Sequence, residues 1–285
     1  MKKIIIIAAV FLSASTIIAQ QYTKEDSIMV EKLLNQARTN KLKRQQECVK
    51  FFTRQFYGIP YVAKTLELNK KEKLVINLRQ LDCTTYVENV VALSLCVKEN
   101  RLTFADFCRN LSLIRYRKGG GVNYSDRLHY FTDWINDNSV LGICFSPQSP
   151  NPPFSAVQRV SVDYMSTHST KYPMLAGNKK NMAEIRKTEQ NLTGKSYRYI
   201  PKSNIDNSKL LRRTIHDGDI IVILTNIKGL DTQHLGFALW KKDGLHLVNA
   251  SSIRHKVVEE PMLLYTYLKR HKSMTGIRIV RLKDL

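Results

Sequence analysis

Five apolar residues in a row, Ile220-Ile221-Val222-Ile223-Leu224, follow the turn Asp217-Gly218-Asp219. A run of that kind, bounded by turn residues, reads as a buried strand, and a buried strand needs a sheet around it. The neighbouring sequence supplies one. Residues 234–240 and 245–250 read as two strands around Lys241-Lys242-Asp243-Gly244, residues 261–271 as a helix, and Ile277 to Leu282 as a last strand that alternates on either side of Arg278 and Arg281.

The first half is helical instead. Residues 24–56 carry Met29, Val30, Leu33, Leu34 and Ala37 at helical spacing, with Asp26 or Ser27 as cap, until Gly58-Ile59-Pro60 breaks the pattern. Leu74 to Leu78 reads as a short strand or a helix end. Tyr86, Val90, Leu93 and Val97 mark the buried stripe of a second helix. A third covers 103–115, with Thr103 as cap and Asp106 in its first turn. Gly119-Gly120-Gly121 is a loop, Asp126 to Ile135 is helical or irregular, and 145–210 is polar with helical patches. Helices first and an antiparallel sheet after is an α+β order.

The chain start reads as an export signal: Lys2 and Lys3, an apolar run from Ile4 to Leu12, and small residues up to a cleavage point after Ala19. The run is shorter than the ~20 residues of a membrane span. The expected organisation is a signal peptide over 1–19 and one catalytic domain over 20–285, its first part, 20–72, helical. The expected location is the periplasm or another exported site, with no stable membrane insertion after cleavage. The hydrophobic share of 43% supports a real core. With 45 Lys and Arg against 24 Asp and Glu, the surface attracts polyanions. For an exported chain, cell-wall polymer or anionic lipid fits better than nucleic acid.

Five cysteines, Cys48, Cys83, Cys96, Cys108 and Cys144, leave at least one unpaired in an oxidising compartment. No CxxC or zinc-finger spacing occurs, so neither a metal nor another cofactor is expected. Cys96 and Cys108 sit in apolar helical surroundings and read as core. Cys83 stands at a helix start, where Asp82 is a plausible cap and the helix amides favour a thiolate, the attacking species of cysteine hydrolases.

Such a thiol needs a base. His234 opens a strand after a polar loop, and Gly236 leaves space on the same face two residues on. If Lys241 to Gly244 is a four-residue loop, Trp240 pairs with Leu245 and Gly236 with Asn249. Asn249 then shares the face of His234 and suits the orienting role in a triad, while His246 faces the other way.

Several stretches resemble a bacterial amidase family, first catalogued as a domain of unknown function, of the NlpC-type, papain-like superfamily. They are Leu81-Asp82-Cys83-Thr84-Thr85-Tyr86-Val87-Glu88-Asn89, Ser125-Asp126-Arg127-Leu128-His129-Tyr130 with Asp133-Trp134-Ile135, Gly218-Asp219-Ile220-Ile221, Gly229-Leu230-Asp231 to His234-Leu235-Gly236, and Asn249-Ala250-Ser251-Ser252. The resemblance spans most of 58–282 and implies a papain-like core, with the nucleophile helix packed on an antiparallel sheet and extra N-terminal helices. It implies N-acetylmuramoyl-L-alanine amidase activity, with peptidoglycan or its fragments as substrate, Cys83 as nucleophile and His234 as base. Asn249 stands where the family pattern leads one to expect histidine. Candidate substrate contacts are Asp82, Tyr124, Arg127, Tyr130 and Trp134, although Leu128, Phe131 and Trp134 equally suit packing of that loop.

Two other readings remain: a stem-peptide endopeptidase of the same fold, and a non-catalytic, basic cell-wall-binding protein. The last leaves Asp82-Cys83 at a helix start and His234 before a glycine-containing strand unexplained. Cys83→Ala is expected to cut hydrolysis by on the order of 10³-fold or more with unchanged circular dichroism. Near-normal turnover in that variant would remove the basis for a cysteine mechanism.

Overall fold

The computed structural model describes residues 19–284; the expected signal segment therefore lies, but for Ala19, outside the described residues. In chain order the elements are β1 (Gln20–Gln21), α1 (Lys24–Thr39), α2 (Gln45–Gln55), β2 (Leu74–Val75), α3 (Cys83–Lys98), α4 (Phe104–Arg115), α5 (Phe131–Val140), β3 (Cys144–Phe145), β4 (Ala156–Arg159), α6 (Tyr164–Thr167), α7 (Lys179–Leu192), β5 (Ser196–Pro201), α8 (Lys209–Thr214), β6 (Ile220–Thr225), β7 (Thr232–Trp240), β8 (Leu245–Ser251), β9 (Lys256–Glu259), α9 (Leu264–Arg270) and β10 (Met274–Leu282). The main sheet runs β4-β5-β10-β6-β7-β8-β9 with every pair antiparallel, and β3 also pairs with β10. The α+β reading holds.

The β6 run is apolar throughout because both of its faces are covered. Ile220, Val222 and Leu224 join the core under the helices of the first half. Ile221 and Ile223 join a second core with Leu211 of α8 and Leu264, Tyr267 and Leu268 of α9. β10 divides the same way, Val280 and Leu282 to one side and Ile277 and Ile279 to the other. Full burial of each such side chain is worth ~1.5–3 kcal/mol.

Helix α3 is the centre of the first core, with Tyr86, Val90 and Leu93 fully buried and Val97 packed at its margin. It also buries a charge pair. Arg115 of α4 donates to Glu88 at 2.7 Å and to the Val75 carbonyl at 2.7 Å, tying α3, α4 and β2 together.

Some expectations change. The first helix is two, because the chain turns at Asn40 and Lys41, the latter at φ 52°. Its cap is Thr23, and Asp26 sits three residues on as the reciprocal partner of a capping box. Asp26 also accepts from the Leu78 amide and from Arg79, so α1 braces the segment leading into Cys83. The polar stretch 145–210 holds two strands, β4 and β5, and a small core of its own around Val160, Met165, Leu175, Ile185 and Leu192. β9 was not anticipated either; it is short, and of its side chains only Val257 is buried.

Arg115→Ala is expected to destabilise the protein by about 3–5 kcal/mol, because it leaves Glu88 buried without its partner. Glu88→Leu/Arg115→Met should recover most of that loss. Urea-unfolding midpoints of the two variants measure both.

Candidate active site

Cys83 is the first residue of α3, and its position is set by hydrogen bonds on both sides. Asp82, in extended conformation, caps the helix: its Oδ1 accepts from the Thr85 amide at 2.8 Å, and the Asp82 amide donates to Thr85 Oγ1 at 2.9 Å. Just upstream, Leu81 bridges to Tyr61, with Leu81 N–H donating to Pro60 O and Val62 N–H to Leu81 O. The cysteine therefore leaves a pinned segment and begins a rigid helix.

His234 comes from β7. The hairpin has the anticipated register, Trp240 opposite Leu245 and Phe237 opposite Val248. Continued one pair further, Gly236 faces Asn249, and a Cβ built on Gly236 would stand 3.0 Å from the Asn249 Cβ and 2.6 Å from the Val248 carbonyl oxygen. Any side chain there would clash with β8. Across this gap His234 Nε2 lies 2.9 Å from Asn249 Oδ1. His246 faces away, with Nδ1 against Glu260 O at 2.9 Å and Nε2 against Asp243.

Cys83, Thr84, Tyr130, Asp231, His234 and Leu235 are among the residues lining one cleft of about 220 Å³. The electrostatics differ from the thiolate expected at a helix start. Burial, and then the Asp82 carboxylate, push the Cys83 thiol up to about 12, against the lowering contributions of the Leu235 amide and of Thr84. The cap that shapes the helix thus opposes ionisation of its first side chain. Burial likewise lowers His234 below the ordinary histidine value of 6.5, outweighing Asn249, Glu260 and Asp82, which raise it. Both shifts favour the uncharged forms, a thiol and a neutral imidazole lining the same cleft. A carbonyl oxygen only accepts, so Nε2 carries the hydrogen and the Nδ1 lone pair is free to take a proton.

The five candidate substrate contacts are placed differently. Asp82 borders Cys83, with Oδ1 spent on the cap. Arg127 is buried and its guanidinium is committed to Glu67 and Glu72, with its face on the Tyr124 ring at 4.9 Å. Tyr124 and Tyr130 are buried in the small core under 160–192, and Tyr130 donates to Glu189 at 2.8 Å and accepts from the Met165 amide. Trp134 is fully buried and stacked on Phe131 at 4.8 Å. Arg127 and Trp134 therefore hold the loop rather than face solvent. The packing that Trp134 and Phe131 equally suited is the arrangement observed.

Sequence reading missed three groups near the pair. The Tyr267 ring of α9 lies tilted toward His234, with ring centroids 6.4 Å apart. Tyr61 lies near Cys83 and Asp82, whose charges help push its hydroxyl up to about 12 after burial itself. Glu260, just past β9, accepts from Asn249 Nδ2 at 3.4 Å. Only Glu260 had a local signal, an acidic pair before Pro261. Among the described residues no group of three or more His, Cys, Asp or Glu side chains is arranged to hold a metal ion.

The fold, helices on an antiparallel sheet with this cleft at a helix start, is that of an α+β protein. Residues 51–277 match the AmiA-like family, described as N-acetylmuramoyl-L-alanine amidase-like, and the chain belongs to that family. A Bacteroides uniformis N-acetylmuramoyl-L-alanine amidase superposes with a TM-score of 0.78 at 39% identity, covering 84% of this chain and 99% of that one. A Bacteroides fragilis protein with a provisional xylanase assignment superposes at 0.74 with 40% identity, covering 81% and 98%. A Legionella pneumophila protein at 22% identity, with a TM-score of 0.69 and coverage of 90% and 94%, shares the fold. No curated protein matches the sequence.

Burial pushes the thiols of Cys48, Cys96, Cys108 and Cys144 up as well, so access decides reactivity. Cys83 is the partly exposed one; the other four are buried. Iodoacetamide at neutral pH is expected to label Cys83 first, and peptide mapping reads the order.

Proposed function

We propose that this chain is an exported cysteine amidase that hydrolyses the N-acetylmuramoyl–L-alanine bond of peptidoglycan or its fragments. The observation that carries the reading is the 2.9 Å contact between His234 Nε2 and Asn249 Oδ1 in the cleft that Cys83 lines. It is the geometry of a base held by an orienting amide beside a nucleophile. The family and the Bacteroides uniformis relative supply the bond: both carry that amidase in their names.

In this mechanism His234 Nδ1 takes the Cys83 proton as the sulfur attacks the lactyl carbonyl carbon of muramic acid. The Cys83 and Thr84 amides, ahead of the capped Thr85 amide, have no partners within the helix and suit the developing oxyanion. The imidazolium returns its proton to the departing alanine nitrogen, leaving a thioester on Cys83 and a free peptide. Water, deprotonated by His234, then releases the muramic carboxylate and restores the thiol. No metal or other cofactor takes part. Residues 20–285 act as one catalytic domain with a papain-like, NlpC-type core, delivered beyond the inner membrane by the segment ending at Ala19. The basic surface suits an anionic wall polymer. Among the described residues no helix is long and apolar enough to cross a membrane.

A xylanase reading fits the cleft poorly. Glycosidases of the usual kind need two carboxyl groups flanking the bond. Among the residues lining this cleft, Asp231 is the acidic one, and its carboxylate accepts from the Thr132 amide at 2.7 Å.

Purified protein incubated with muropeptides bearing free, anhydro or disaccharide muramic ends should release peptide with an intact L-alanine terminus, read by mass spectrometry. Cleavage within the stem peptide would replace the amidase with the endopeptidase. The pH profile checks the mechanism. His234 must be neutral, so kcat/KM should rise through a pKa below 6.5. It should then stay flat past the ordinary thiol value of 9.0, since the Cys83 thiol is pushed up to about 12. A narrow bell centred on neutrality would indicate a resident thiolate–imidazolium pair instead.

A further inference from the structure

We propose that Glu260 is a positioning residue of this site: its carboxylate fixes which end of the Asn249 amide meets His234. The substrate in this proposal rests on the amidase reading; the geometry does not. An asparagine side chain has two ends of almost equal size and opposite hydrogen-bonding sense. With Oδ1 toward His234, Nε2 holds the hydrogen and Nδ1 keeps its lone pair. With the amide turned over, Nδ2 would donate to Nε2, the hydrogen would move to Nδ1, and the base would be lost. Glu260 selects the first arrangement. Its Oε1 lies 3.4 Å from Asn249 Nδ2, and a carboxylate only accepts, so an Asn249 oxygen facing it would be repelled.

Glu260 is itself held firmly. Only 2% of it is exposed, its amide donates to Leu247 O at 2.8 Å, and its carbonyl accepts from His246 Nδ1 at 2.9 Å. Its other carboxylate oxygen lies 3.7 Å from Arg254 Nε. The buried histidine that faces away from the site thus anchors the residue that orients it. The other charged or titratable groups facing His234 include Asp82 before α3, Tyr267 of α9 and His271 just past it, with Cys83 and Asp231 lining the same cleft. Glu260 and Asp82 favour the imidazolium; His271 opposes it.

The test separates charge from shape. Glu260→Gln keeps the side chain's size but can donate to Asn249 Oδ1 and permits the reversed amide. Glu260→Asp loses a methylene but keeps an accept-only group. If Glu260 served packing alone, Gln would be the milder change. We expect the reverse in the full-length protein. Glu260→Gln should lower kcat on a muramoyl peptide, and the rate of Cys83 alkylation at pH 7, by about tenfold with little change in KM. It should also move the acid limb of alkylation to lower pH, because one group that favours the imidazolium is gone. Glu260→Asp should stay within about threefold of the unaltered protein. A Glu260→Gln variant that equals or exceeds Glu260→Asp in alkylation rate would overturn the proposal. Alkylation needs no substrate, so it decides the role of Glu260 even if no muropeptide is cleaved, an outcome that would overturn the amidase reading alone.

Discussion

A helix without a polar face has to be covered on every side. Twelve of the sixteen residues of α3 are buried, and α1, α2, α4 and the β7–β8 pair close around it. That leaves its first turn, Cys83 and Thr84, as the part that reaches the cleft. The cysteine reaches the cleft, partly exposed, because of where the helix must lie, and the neighbouring segments are fixed around that point. Asp26 braces the approach through Leu78 and Arg79, the 60–62 segment clamps Leu81, and Asp82 closes the cap. Glu88, one turn and a half further along α3, locks the helix to α4 through Arg115.

The same burial sets the resting charge of the site. Enclosing a thiol and an imidazole disfavours the ionised form of each, which pushes the one up and the other down. A buried ion pair would need good geometry and further hydrogen bonds to offset its desolvation. Both shifts favour the uncharged forms, which avoid that cost, and in the mechanism proposed above Asp82 and Glu260 are the groups that favour an imidazolium. The helix end alone would suggest a ready thiolate; burial first, and the aspartate cap after it, reverse that.

The loop from Tyr124 to Trp134 shows why residues that look suited to a ligand can be structural. Arg127 lies between Glu67 and Glu72, and Tyr130 bridges Glu189 and the Met165 amide. The Arg127 contacts tie the loop to residues 67–72 and the Tyr130 contacts tie it to the 160–192 core, while Tyr130 still borders the cleft that Cys83 lines. The Tyr130 hydroxyl contacts fix that part of the cleft wall.

Local chemistry was legible in the sequence. The Thr103 cap with Asp106 in the first turn, the Lys241 to Gly244 turn, the Trp240–Leu245 register and the buried strand at Ile220 each depend on residues close together in the chain, and each is present as read. The hairpin register alone put Asn249 within reach of His234, because strand pairing alternates faces with an exact period of two. What the tertiary structure decided involves partners far apart. Glu72 and Arg127, Glu189 and Tyr130, and Tyr267 and His234 meet only after the chain has folded, so no spacing announced them. Whether a polar side chain faces a ligand or a buried partner is a question of what covers it, and so is the protonation of Cys83. A sequence names the groups that can ionise or donate; the burial and neighbours that choose among their states exist only in the folded chain.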